Sequence, residues 1–411
     1  MGRVSGLIDR HPSLRWVAPT AAIAVVAAAA VVTAGAASAD EHPALPPISA
    51  EQLLTDALQP TTQSLSGTAT VTADLGLPDV SGLLSGAAAG GSGVVPGGAA
   101  SIAPGSGSTS AALTGLAGLL TGSHTVRVWV DGPEKSRVAV ITQGGESDVI
   151  HNGTDLWLWQ SAGQQVLHAT LPAKSAADAQ KQLTPAQQQK LQQKLQQELS
   201  KLPSTPQQAA QELLAAAGPS TDFTVDSTAS IAGRSAYRLV ATPKDPGSLV
   251  DRVVISIDSE THVPLKTEVY STQRTAPAFS VGYTDVTFAA PSADVFAFTP
   301  PAGSTVKEAQ KPTSTTEPTK PATGTGTKPD VTTSGKGWAT VVVTKAPAGA
   351  PTETSGAGSA LSMLTPVSGS WGSGHALSGT LFSVLITDKG TIAVGAVPVE
   401  TLEAAVAGSG Q

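Results

Sequence analysis

Three histidines stand on or beside separate strand-like stretches: His124, His151 and His168. Brought together by folding, they could do the general acid–base work of an enzyme, because imidazole titrates near neutral pH. Such work requires mutual geometry and not presence alone, so ordinary sheet or turn histidines are the simpler reading. Other chemistry lacks its residues. The chain has no G-x-S-x-G elbow, no H-E-x-x-H and no P-loop. The glycines of Gly91-Ser92-Gly93 lie in low-complexity sequence without a strand-to-helix context. Asp251, Asp258 and Glu260 sit by a turn and read as solvated charges. There is no cysteine, which excludes thiolate metal sites, disulfides, a thiol nucleophile and a lipid-modified cysteine. No catalytic residue, metal site or cofactor is expected, and a secreted hydrolase is the weakest of three readings.

What the sequence does carry is apolar alternation. Arg252 to Asp258 places Val253, Ile255 and Ile257 on one face, and Val263 to Tyr270 places Val263, Leu265, Thr267 and Val269 on one face. Ser235–Ala241 upstream and Phe279, Val281 and Tyr283 downstream continue the pattern. A period of two means strands with one buried and one wetter face, which antiparallel sheets permit. Asn152-Gly153 predicts a tight type I′ hairpin, with Leu156 and Leu158 facing one way and Trp157 and Trp159 the other. The tryptophans read as packing residues or as the rim of a ligand mouth. The expected fold is α+β, mainly antiparallel β.

The remaining segments divide the chain. Arg3, Arg10 and Arg15 precede an apolar run from Trp16, and Ala37-Ser38-Ala39 follows it. That layout over 1–39 predicts a signal peptide or, if uncleaved, an N-terminal membrane anchor, with the bulk of the chain extracytoplasmic in either case. Ile48–Leu58 predicts a short helix capped by Ser49, with Gln52 completing a capping box and Leu54, Ala57 and Leu58 on one face. The stretch 76–122 is a Gly/Ala/Ser insertion. The stretch 184–217 predicts two helices, with Leu191, Leu195, Leu199 and Leu202 as a thin stripe that either packs on the sheet or forms a lid. Phe296–Val306 reads as a strand that runs out into a Pro/Thr-rich linker over 305–336. A small β-rich C-terminal domain fills 337–407, with a helix opening at Pro398. Its core is marginal alone, so it is expected to dock on the main domain, 40–304. Net charge is −7, with no basic stripe, which argues against a nucleic-acid partner.

Several stretches look familiar together. Asn-Gly-Thr-Asp-Leu-Trp-Leu-Trp at 152–159, Tyr-Arg-Leu at 237–239, Ile-Asp-Ser-Glu-Thr-His-Val-Pro-Leu-Lys at 257–266 and Phe-Ala-Phe-Thr-Pro-Pro-Ala-Gly at 296–303 resemble the LolA-like lipoprotein-carrier family. That resemblance implies an unclosed barrel, a curved antiparallel sheet with helices on its concave face and an apolar space between that takes acyl chains. Trp-Ala-Thr-Val-Val-Val at 338–343 and Val-Gly-Ala-Val-Pro-Val-Glu-Thr-Leu-Glu-Ala-Ala at 394–405 resemble the C-terminal part of RseB/MucB-type sigma-factor regulators. It implies a membrane-bound anti-sigma factor as partner. The insertion at 76–122 and the Pro/Thr linker depart from both patterns.

Two binding functions follow as expectations. The first is a non-catalytic carrier or sensor of a lipid or lipoprotein acyl chain, bound by Leu156, Leu158, Val253, Ile255, Ile257, Leu265 and Val269. Burial of each CH₂ would add about 0.8 kcal/mol. The same residues could equally be closed core, since apolar pattern alone does not separate the two. The second is an envelope regulator that binds a membrane-bound regulatory protein through the small domain.

Overall fold

The structure, a computed structural model, describes residues 45–76, 121–142, 145–170, 211, 214–308, 331–345 and 364–409. The first element is helix α1 (Ala50–Ala57). Ser49 Oγ caps it by accepting from Gln52 N at 3.1 Å, while the Gln52 side chain donates to Asp56 Oδ1 at 2.7 Å instead of turning back to the cap. Only half of the expected capping box forms. The anchor of α1 is Leu53, which is fully buried, whereas Leu58 is exposed. Ala50, Leu53, Leu54 and Ala57 are the helix residues that meet the core, the i, i+3, i+4, i+7 spacing of a one-sided helix.

Among the described residues the main sheet holds twelve strands. They are β1 (Ser64–Asp74), β2 (Thr121–Asp131), β3 (Lys135–Thr142), β4 (Gly145–Asn152), β5 (Asp155–Gln160), β6 (Gln165–Thr170), β7 (Thr221–Ile231), β8 (Arg234–Pro243), β9 (Val250–Asp258), β10 (Pro264–Ser271), β11 (Pro277–Thr287) and β12 (Thr305–Glu308). Their spatial order is β12-β6-β5-β4-β3-β2-β1-β11-β10-β9-β8-β7. Two antiparallel meanders, β2–β6 and β7–β11, therefore meet at β1, which pairs β2 on one side and β11 on the other. Among the described strands only β12 is parallel, alongside β6. The order is linear and the sheet does not close into a barrel. It curls, however. Ile231, the last residue of β7, and Ala232 of the β7–β8 turn pack against the cluster of Ala69, Val71, Val126, Val281 and Tyr283 from β1, β2 and β11. At the bulge between β1 and β11, Gly67 leaves room that a Cβ would fill, since that atom would lie 2.6 Å from Asp285 O and 2.7 Å from the Tyr283 ring.

Three local expectations change. The β4–β5 hairpin turns one residue later than Asn152-Gly153 suggests. Asn152 pairs with Asp155, so Gly153 and Thr154 form the loop, with Gly153 at φ 62°. Glycine at the first loop position suits a type II′ turn. Phe296 does not begin a strand but ends a 3-10 turn, Ala293–Phe296, and the strand starts at Thr305. Both described ends of the stretch read as linker are strands.

The second sheet has six strands: β13 (Val331–Ser334), β14 (Val341–Lys345), β15 (Thr365–Gly369), β16 (Gly372–Ser378), β17 (Ser383–Thr387) and β18 (Thr391–Gly395). Their order is β13-β14-β18-β17-β16-β15. Helix α2 (Val399–Ser409) packs on one face, where Leu402 and Val406 meet Val341, Val343, Leu385 and Ala393. This sheet is bound to the first. Trp338 is buried in the cluster of Leu53, Leu239, Val253 and Ile255, and its indole N–H donates to Thr221 Oγ1 at 2.8 Å. Backbone bonds run from Leu249 N to Ala396 O and from Thr380 N to Leu75 O, each 2.8 Å. Ser271 Oγ adds a bond to Thr380 O at 2.6 Å.

Candidate functional site

Directly paired residues of neighbouring strands share a face, so the registers assign every side chain of the main sheet. Val253, Ile255 and Ile257 lie opposite Ala241, Leu239 and Tyr237 on β8; Val253 and Ile255 lie opposite Val269 and Thr267 on β10. From β10 the same face passes through Val281 and Phe279 on β11 to Val71 and Ala73 on β1, then to Val126 and Val128 on β2. It continues as one aliphatic ladder: Val128, Val138, Val149, Leu158, Leu167. Leu156 follows beside it, between His151 and Ala169. Leu265, at the β9–β10 bulge, sits in the cluster with Val281 and Tyr283 on this face.

All seven candidate ligand residues thus lie along one continuous face, but in two environments. Val253, Ile255, Ile257, Leu265 and Val269 are buried. Four of them pack with Leu53 of α1 and with Trp338, and Leu265 packs under the β7–β8 turn. Leu156 and Leu158 are part-exposed, and their neighbour Val149 is 40% exposed. No residue of the ladder from Val128 to Leu167 is buried. The lid candidates Leu191, Leu195, Leu199 and Leu202 lie outside the described residues.

On the same strands the opposite face is the closed one. Ala139, Ile150 and Val166 are buried there, together with Phe296 of the 3-10 turn. Asp148, also buried, receives the Arg137 guanidinium, whose Nη1 donates to Val295 O at 3.2 Å. Asn152 Nδ2 reaches Phe296 O at 3.4 Å. Trp157 and Trp159 meet the Phe298 ring at centroid distances of 5.5 and 6.4 Å. The tryptophans therefore pack under the segment 293–298 and do not rim the ladder. The candidate face is buried at β8–β11, where Val254 and Ala278 are buried on the opposite face as well, whereas at β3–β6 the buried residues lie only on that opposite face. A solvated face of an antiparallel sheet normally alternates to polar residues. Here the ladder face keeps a row of five aliphatic side chains, with Val128 and Val138 against the cluster of Val126 and Val281 and with Val149 exposed.

The histidines do not converge. His124, near one end of β2, bonds Thr121 O at 2.6 Å, and His151, near the opposite end of its strand, bonds Gly153 O at 2.9 Å. His168 points to the other face, where it stacks on Trp157. Among the described residues no group of three or more His, Cys, Asp or Glu could hold a metal ion. Asp258 corrects the expectation of a solvated charge, for it is fully buried. It takes Arg234 Nε and Nη2 at 2.5 and 3.0 Å and the Glu260 and Thr261 amides at 3.1 and 2.7 Å. Burial pushes its carboxyl pKa up, but Arg234 and the Thr261 and Glu260 donors outweigh burial and hold it below the usual value.

No family model and no curated protein matches the chain. Solved structures do. A chain of the Pseudomonas aeruginosa MucA/MucB complex is similar at 15% identity and a TM-score of 0.38, over 86% of this chain and 94% of that one. A MucB crystal structure is similar at 16% identity and a TM-score of 0.33, over 85% and 92%. A LolA superfamily protein from Nitrosomonas europaea is similar at 14% identity and a TM-score of 0.20, over 61% and 99%. MucB and LolA-superfamily proteins, the two groups that the sequence resembles, thus stand among the structural neighbours.

Proposed function

We propose that this chain is a non-catalytic, extracytoplasmic binding protein for an apolar ligand, a lipid or lipoprotein acyl chain, held across the β2–β6 half of the main sheet. One observation carries the reading. The ladder Val128–Val138–Val149–Leu158–Leu167 is aliphatic throughout and nowhere fully buried; Val128 and Val138 rest against the cluster of Val126 and Val281, while the buried residues of β3–β6 lie on the other face. Its four inter-strand steps, at roughly 4.8 Å each, give an apolar track of about 19 Å, the scale of a long acyl chain. Leu156 and Leu158 are the contacting members of the candidate set. Val253, Ile255, Ile257, Leu265 and Val269 form the wall behind, reached only if α1 and the β7–β8 turn yield. Leu191, Leu195, Leu199 and Leu202 are the candidates to close over the ligand.

Native mass spectrometry of the full chain purified from its own membrane fraction tests this. The expected result is a co-purifying lipid in the wild type that Leu158→Asp loses, with unchanged circular dichroism. Protein that carries no lipid from any membrane fraction would sink the proposal.

A second reading is favoured by the six-stranded sheet. On the face away from α2, Val342, Val384, Ile386, Ile392, Val394 and Leu377 are all part-exposed. Such a face suits a protein partner, and a membrane-bound regulatory protein is the partner proposed. In the same mass spectra, a stoichiometric membrane protein in place of lipid would support it.

A further inference from the structure

His168 on β6 is enclosed by acceptors. Its Nε2 lies 2.8 Å from Asp155 Oδ1 on β5, and its Nδ1 lies 2.9 Å from Glu308 Oε2 on β12. The ring stacks on Trp157 at 3.8 Å and 15°, and Trp157 is backed by Phe298. Asp155 and Glu308 are the charged groups that meet the ring from the neighbouring strands, and the indole supplies no charge. A neutral imidazole has one N–H; two carboxylates on opposite nitrogens need two. The arrangement is therefore that of an imidazolium.

The strand on the far side of Glu308 is weakly held. Every residue of β12 is exposed, and its parallel pairing with β6 spans only Thr305–Glu308. Among the described residues, the His168–Glu308 contact is the one side-chain hydrogen bond or ion pair that ties β12 to the sheet.

We propose that His168 is a proton-operated clasp: protonated, it fastens β12 to the edge of β6, and on losing its proton it lets β12 detach. Asp155 is on the hairpin partner of β6 and stays in place, so the neutral ring keeps that bond. Glu308 then faces a lone pair and a second carboxylate, which repel it. Burial lowers the His168 pKa, but the bonds to Asp155 and Glu308 outweigh burial and raise it above its usual value. The sign follows from linkage. The clasp is complete below the ordinary histidine pKa of about 6.5 and opens as pH rises through the raised folded value.

Hydrogen–deuterium exchange of the full chain, corrected for intrinsic rates, tests this across that range. The amides of 305–308 should lose protection at least tenfold as pH rises, in step with the titration of His168 followed by NMR. Glu308→Gln, at an exposed position, should abolish the pH dependence while the amides of β4 and β5 keep their protection, and His168→Gln should do the same. Protection at 305–308 that does not change with pH in the wild type, or that changes equally in Glu308→Gln, would overturn the proposal.

Discussion

Asp258 shows how one carboxylate can hold a turn. It closes the β9–β10 connection through two backbone amides and Thr261 Oγ1, and it reaches Arg234 on a different hairpin. Removing it leaves the two amides and Thr261 Oγ1 without their acceptor, and leaves the part-exposed Arg234 guanidinium with only Glu260 of its two carboxylate partners. Asp258→Ala should therefore destabilise the chain by roughly 2–4 kcal/mol, read from urea unfolding; a loss below about 0.5 kcal/mol, the level of ordinary surface substitutions, would contradict the account. Because its folded pKa is depressed, its contribution is fully present above the unfolded value of about 3.9 and fades as pH falls through the folded one. Acid titration of wild type against the variant should show that difference only at low pH. The sequence hid this residue's role. A charge beside Ser259 and Glu260 looks solvated, and its burial depends on Arg234, which lies 24 positions away.

At the scale of elements, alternation made side-chain faces legible, and pairing order was not. The period of two puts Leu156 and Leu158 opposite Trp157 and Trp159, and the registers agree. Nothing local in β4 or β5 tells which of those faces meets core. That is decided by the 3-10 turn at Ala293–Phe296, which folds back over β3 and β4 from more than a hundred residues later. The one-residue shift of the hairpin turn has a similar cause, since Asn152 is held as a strand residue by Lys135 and by Phe296 O. Leu53 on α1 and Val149 on β4 allow a direct comparison of sealed core with the open ladder. Leu53→Ala, in sealed core, should cost about 2–5 kcal/mol, whereas Val149→Ala, on the open ladder, should cost under about 1 kcal/mol in ligand-free protein. Equal losses in thermal or urea unfolding would mean that the ladder is core after all.

For the whole molecule, the question is whether two sheets behave as one. Trp338 belongs to the second sheet's first turn in sequence and to the first sheet's core in space. The backbone bonds at Leu249–Ala396 and Thr380–Leu75 sit around it. Trp338→Ala should lower stability by roughly 3–5 kcal/mol and split calorimetric unfolding into two transitions, the six-stranded sheet melting first; a single transition at an unchanged Tm would refute the coupling. The short length of the C-terminal unit suggests that its core needs support. It does not say where that support comes from, because one tryptophan after a Pro/Thr-rich stretch gives no hint of the surface it enters.

The central place of β1 has a consequence for assembly. Its neighbour β2 follows after one insertion, but β11 arrives roughly two hundred residues later. Until that distant strand has been made, one flank of β1 offers its bare amides and carbonyls to any passing extended chain. Joining the two meanders is a long-range closure of the kind that slows folding. The seam along β1 is thus where a newborn chain stays unfinished longest and where mispairing between copies has its opening.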